Sequence, residues 1–211
     1  MKLLELFSGT HSVGKVAKEL GWEVVSLDID GNADITCDIM DWDYKNGTEP
    51  GEYDIIWASP PCHTFSRVRR SLIGRKIKFF GDQVVTAEML DRDMEERGVP
   101  IVRRIEEIID YFKPKYWFIE NPWTGLMKNY LTHRPHYDVD YCQYADWGYK
   151  KRTRIWTNVE GFKPLICDKK CNSWNGTGHK VKLGHGNHGT CLRERYRVPP
   201  ALIKSLFSCV V

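Results

Sequence analysis

The first half of the chain alternates short apolar runs with helix-like stretches, and that alternation constrains the fold more than any other feature. Residues 2–7, 22–27 and 54–58 are strand-like, and a helical pattern at 13–20 separates the first two. Such spacing predicts a parallel sheet covered by helices. Ile101, Ile105, Ile108, Ile109 and Phe112 recur at helical spacing, so residues 83–112 read as the longest helix, with Pro100 as a break or a start. Residues 115–119 read as another buried strand, 137–144 and 153–157 as later strands, and 199–207 as a terminal helix begun by its prolines.

The 211 residues suffice for one main domain and a small appended lobe. No apolar run is long enough to span a bilayer, and residues 1–7 meet a Gly-containing turn at once, so they read as a buried strand rather than a signal peptide. The expectation is an intracellular protein with no membrane partner. Seven cysteines, an odd number, then point to free thiols or metal ligands rather than a disulfide framework.

A net charge of +3 conceals an asymmetry. Residues 150–197 hold twelve Lys/Arg against three Asp/Glu, whereas residues 1–149 hold eighteen against twenty-five. The basic part is where an anionic polymer would bind, a solvated basic surface being the alternative. Residues 161–195 are rich in Gly, Asn, His and Cys with little periodicity, the texture of an insert lobe or a long functional loop.

Several strand ends carry chemistry. The first runs into Phe7-Ser8-Gly9-Thr10 and a helix, a junction at which backbone N–H groups can approach a nucleotide-like ligand. The second ends at Asp28, about twenty residues on, where a carboxylate can accept from ribose hydroxyls. Residues 54–58 deliver Pro60-Pro61-Cys62 to a strand's carboxyl end, where a thiolate could attack carbon. Another strand delivers Glu120-Asn121-Pro122, whose buried carboxyl group could share a proton with a heterocyclic nitrogen. A buried structural cysteine and an ordinary strand-to-helix turn are the bland alternatives for the isolated motifs.

Residues 63–79 carry Arg67, Arg69, Arg70, Arg75, Lys76 and Lys78 and no acid, which reads as a basic loop that closes over nucleic acid, an exposed basic loop of no special role being the alternative. Farther on, Cys167 and Cys171 with His179 could form three corners of a tetrahedral zinc site, the fourth ligand being His185, His188, Cys191 or Cys142. Unlinked thiols and solvated histidines are the competing possibility.

In order along the chain, Phe7-Ser8-Gly9, Pro60-Pro61-Cys62, Glu120-Asn121-Pro122 and Arg152-Thr153-Arg154 resemble the DNA (cytosine-5)-methyltransferase family. The likeness runs discontinuously from Leu3 to Pro199-Pro200-Ala201. It implies an α/β, Rossmann-like S-adenosylmethionine-dependent methyltransferase fold with a small irregular insert lobe. The implied division is a catalytic core over 1–160, a target-recognition-like lobe over 161–195 that a metal could staple, and a terminal helix over 196–211. In this resemblance Phe7, Gly9 and Thr10 hold S-adenosyl-L-methionine, Asp28 takes the ribose, and Asp38 and Ile39 face the adenine. Cys62 is the nucleophile at cytosine C6, Glu120 contacts N3, and Arg152 and Arg154 hold the flipped nucleotide and its phosphate. DNA is the implied partner, touched by Arg67, Arg69, Arg70 and Lys150. The interval left for target reading is only about forty residues, so short recognition or a protein partner supplying specificity is expected. Pro122 stands where Val is usual and Lys150 where Gln is common. An RNA cytosine-5 methyltransferase and a catalytically silent nucleic-acid-binding homologue are the rival functions.

Overall fold

A computed structural model describes residues 1–184 and 189–210. One mixed sheet of seven strands organises them, in the order β3-β2-β1-β4-β5-β7-β6. The strands are β1 (Lys2–Leu6), β2 (Glu23–Asp28), β3 (Ile35–Thr36), β4 (Ile55–Ala58), β5 (Tyr116–Pro122), β6 (His136–Asp140) and β7 (Arg152–Thr157). β1 to β5 are parallel, and β7 runs antiparallel between β5 and β6.

Consecutive side chains on a strand face opposite ways, so a sheet covered on both sides needs unbroken apolar runs. Leu4, Ile56, Ile119 and Trp156 pack on one face, while their neighbours Leu3, Ile55, Phe118 and Ile155 pack on the other. The first face is covered by α3 (Val99–Phe112), which buries Val102, Ile105, Ile108, Ile109 and Phe112. The second is covered by α1 (Ser12–Glu19) and α5 (Pro200–Phe207), through Val13, Val16, Ala17, Leu202, Ile203 and Leu206. The Rossmann-like expectation therefore holds, with the reversed β7 as its addition.

The helical stretch expected over 83–112, with Pro100 as a break or a start, is divided just before that proline. α2 (Ala87–Asp93) passes through a π-helical turn at Met94–Gly98 into α3, whose second residue is Pro100. Pro100 has no N–H to donate and its ring crowds the carbonyl four residues back, within the π turn; in the same turn a Cβ on Gly98 would sit 2.5 Å from Thr64 Oγ1 and 3.0 Å from the Phe65 ring. The backbone there makes room for the residues that follow Cys62.

β6 also stops earlier than expected, at Asp140, and the chain turns through Tyr141–Gln143. Residues 163–184 contain no strand or helix, and α4 (Leu192–Tyr196) follows. No helix among the described residues is long and apolar enough to cross a membrane.

Candidate active site

In an open α/β sheet, ligands bind beyond the carboxyl ends of the strands where the order reverses, here between β1 and β4. A cleft of about 1040 Å³ opens at that point. Phe7, Gly9, Thr10, Asp28, Asp38, Ile39, Cys62, Glu120, Lys150 and Arg152 all line it, as does Arg69 from the basic loop. Arg154, Arg67 and Arg70 do not.

The loop after β1 is unusual in backbone geometry. Phe7, Gly9 and His11 are all left-handed, with φ of 60°, 44° and 54°. Two of these carry side chains, a strained arrangement of the kind that clusters at ligand sites. Asp28 secures the turn: its Oδ2 accepts the Gly9 N–H at 2.8 Å, and its Oδ1 accepts the Asp30 N–H at 3.1 Å. Asp28 thus braces the loop as well as facing the cleft.

Beneath the loop lies Glu5, only 3% exposed. Its Oε1 accepts the Val13 N–H at 3.2 Å, and its buried Oε2 lies against the Gly14 backbone with the His11 Nδ1 3.9 Å away. Burial pushes its carboxyl group up from 4.5 to about 7, against the lowering effect of the Gly14 and Val13 N–H groups. Gly14 is required here because a Cβ would lie 2.5 Å from Glu5 Oε2. The Ser8 hydroxyl, buried in the same wall, has no hydrogen-bond partner among the described residues.

Cys62 and Glu120 arrive from adjacent parallel strands, β4 and β5. The buried Asn121 amide donates to the Pro60 carbonyl at 3.0 Å, so the residue after the acid holds the loop that carries the thiol. Glu120 Oε1 accepts from the Tyr141 hydroxyl at 2.9 Å and lies 3.3 Å from the Lys151 ammonium. Lys151, itself buried, also donates to the Arg195 carbonyl at 3.0 Å. Burial pushes the Cys62 thiol up, Lys151 draws it down, and the Glu120 charge raises it again. Lys151 thus acts on both Cys62 and Glu120.

The paired arginines meet paired acids. Antiparallel register places Asp140 opposite Arg152 and Asp138 opposite Arg154. Arg152 binds Asp140 through two hydrogen bonds of 3.0 and 2.8 Å, and Arg154 binds Asp138 through two of 2.7 and 2.9 Å. Arg152 still reaches the cleft, whereas Arg154 is spent on the sheet.

The basic loop is likewise partly neutralised. Arg69 lies 2.6 Å from Asp93 and Arg70 2.7 Å from Asp91, acids supplied by α2 rather than by the loop. Arg67 is exposed and forms no ion pair among the described residues.

Cys167 and Cys171 do converge with His179, and Cys142 completes the group, with all four ligand atoms within 4.8 Å of one another. Such a Cys3His cluster could bind a metal. Of the other fourth-ligand candidates, Cys191 stands outside the cluster, and His185 and His188 lie outside the described residues.

Sequence reading passed over Glu5, Lys151, Asp138, Asp140 and Tyr141. The acids left a usable signal, since Asp138-Val139-Asp140 mirrors Arg152-Thr153-Arg154 at the same two-residue spacing. Lys151 and Tyr141 left none, because an isolated lysine or tyrosine reads as surface or core.

No family model matches the chain. A protein of Frog virus 3 (isolate Goorha), named "Probable DNA (cytosine-5)-methyltransferase", is 46% identical over 218 residues, covering 98% of each chain. Among solved structures, an Entamoeba histolytica methyltransferase is similar in fold at a TM-score of 0.50 and 12% identity, over 87% of this chain and 57% of that one. A mutant DNMT2 of Spodoptera frugiperda matches at 0.44 and 17%, over 78% and 53%. The chain thus spans just over half the length of these two structures. With a near full-length relative at this identity, the chain belongs to the DNA (cytosine-5)-methyltransferase family.

Proposed function

We propose that this protein transfers a methyl group from S-adenosylmethionine to C5 of cytosine in DNA, with Cys62 as nucleophile and Glu120 at N3. The observation that carries this reading is the convergence of Cys62 and Glu120 in one cleft with the Phe7–Thr10 loop, the Asn121 amide tying acid and thiol together. Cytosine C5 is too weak a nucleophile to take a methyl group unaided. Addition of the Cys62 thiolate at C6, with the N3 side met by Glu120, turns C5 into an enamine-like carbon. After methylation a base removes the C5 proton and the thiolate is eliminated, restoring both the aromatic ring and the enzyme.

The cleft fits the methyl donor. Two buried oxygens of its wall, Glu5 Oε2 and Ser8 Oγ, suit the ammonium and carboxylate of a methionine moiety. Asp28 and Asp38 line the cleft and would accept from ribose and adenine donors, with Ile39 as an apolar surface in the same lining. The donor, when bound, supplies the electrophilic methyl group. Lys151 favours the thiolate form of Cys62 and holds Glu120 in place, and Tyr141 keeps the carboxylate oriented.

A cytosine must leave the duplex to enter such a cleft, and Arg152, Lys150 and Arg69 line the route an extruded nucleotide would take. The segment between β7 and α4 is short for base reading, so recognition is brief or supplied by a partner protein.

The test is methyl transfer to matched DNA and RNA substrates. Transfer to DNA is expected, with Cys62→Ser inactive and Glu120→Gln severely slowed while both bind S-adenosylmethionine normally. Wild-type turnover in either variant contradicts the mechanism, and transfer to RNA alone contradicts the substrate.

A further inference from the structure

We propose that Cys142, Cys167, Cys171 and His179 bind one zinc ion, and that this ion braces the wall of the catalytic cleft. The ligand geometry comes first. A tetrahedral ion with Zn–S of about 2.3 Å and Zn–N of about 2.05 Å requires S···S edges of about 3.75 Å and S···N edges of about 3.55 Å. The Cys167 and Cys171 sulfurs are 3.7 Å apart, and they lie 3.6 and 3.5 Å from His179 Nε2. Three corners thus already have the spacing of a zinc tetrahedron. Cys142, buried at the turn after β6, supplies the fourth.

The surroundings suit bound thiolates. The Lys169 N–H points at Cys167 Sγ at 3.4 Å, and Trp174 packs edge-on against the His179 ring at 5.4 Å between centroids. The segment needs such a staple. Residues 163–184 form no strand or helix, and their Leu165, Ile166 and Leu183 are exposed rather than packed into a core. A soft sulfur-rich set with one imidazole selects zinc over hard cations.

The coupling to the cleft runs through three consecutive residues. Asp140 holds Arg152, Tyr141 holds Glu120, and Cys142 is the metal ligand. Asp140 is fully buried, and its Oδ2 also accepts the N–H of Cys167 at 2.8 Å. The ion therefore fixes this strand end from both sides, through Cys142 along the chain and through Cys167 across it. This second half rests on the methyltransferase reading, whereas the metal site does not.

The test begins with elemental analysis of the purified full-length protein, where about one zinc per chain is expected. Cys167→Ser with Cys171→Ser should lose it. Should that variant fail to fold, wild-type protein loaded with cobalt should show the intense visible absorption of a tetrahedral cobalt thiolate. Less than a tenth of an equivalent of zinc, or a cobalt spectrum of octahedral type, overturns the site. For the coupling, zinc-stripped protein should keep its S-adenosylmethionine affinity within about twofold and lose at least tenfold in affinity for a cytosine-containing oligonucleotide. Unchanged oligonucleotide affinity in metal-free protein overturns the bracing role, whatever the zinc content proves to be.

Discussion

Glu5→Gln should flatten much of the dependence of folding stability on pH. The folded state holds the Glu5 proton to about pH 7, whereas the unfolded chain releases it near 4.5. Below 4.5 both states are protonated and the group makes no difference. Between the two values the folded state binds more protons, so stability falls as pH rises, and the loss is complete above about 7. At 1.36 kcal/mol per pKa unit, this titration removes roughly 2–3 kcal/mol between pH 5 and pH 8. Glutamine keeps an oxygen for the Val13 N–H, is similar in shape and cannot ionise. Urea denaturation of both proteins without cofactor at pH 5, 6, 7 and 8 reads the effect directly. With slopes of ~1–3 kcal/mol per molar, the wild-type midpoint should drop by about 1 M more than the variant midpoint over that range. Parallel curves for the two proteins would refute the assignment of a neutral, buried Glu5 to the folded state. The same proton opposes a methionine ammonium, so S-adenosylmethionine should bind the wild type more tightly as pH rises through about 7.

Further outcomes follow from the same structure. Lys151→Met removes the cation that draws the Cys62 thiol down, so the rate of covalent attack should require higher pH than in wild type. A pH–rate profile that stays in place would show that Lys151 does not act on Cys62, whereas Lys151→Arg should recover part of the shift. Ile105→Ala opens a cavity in a fully buried position of α3 and should cost roughly 2–5 kcal/mol. A loss below about 1 kcal/mol by denaturant titration would contradict its place in the core.

The legible parts of the fold are those with long, unbroken physical signals. Residues 55–58 and 117–119 are apolar on both faces, so their strands could be read without knowing what covers them. The helix that became α2 and α3 shows where periodicity fails. Pro100 marks the break, but the apolar spacing carries no sign of the π turn just before it or of the close approach of Gly98 to Thr64 and Phe65, about thirty residues earlier. β3 is two residues long and too brief for any alternation to register. β6 ends early because Tyr141 and Cys142 turn inward to Glu120 and the cysteine cluster, a tertiary demand with no local trace.

The site divides in the same way. Cys62 and Glu120 sit at strand ends, where topology alone exposes them to a ligand. The arginines were visible, but their partners were not, because a loop without acids borrows Asp91 and Asp93 from the following helix. Charge counted along the sequence therefore overstated the cations free to meet a phosphate. Buried groups such as Glu5 and Lys151 acquire their chemistry from neighbours far away in sequence.

The most direct test of the central claim is intact-protein mass spectrometry after mixing the enzyme with S-adenosylmethionine and duplex DNA containing 5-fluorocytosine in mixed sequence contexts. Fluorine at C5 blocks the final elimination, so the chemistry predicts a trapped adduct of protein, oligonucleotide and transferred methyl group, mapped to Cys62 and absent in Cys62→Ser. An adduct on another residue, or none while S-adenosylmethionine binding is intact, would contradict the assignment of Cys62 as the nucleophile.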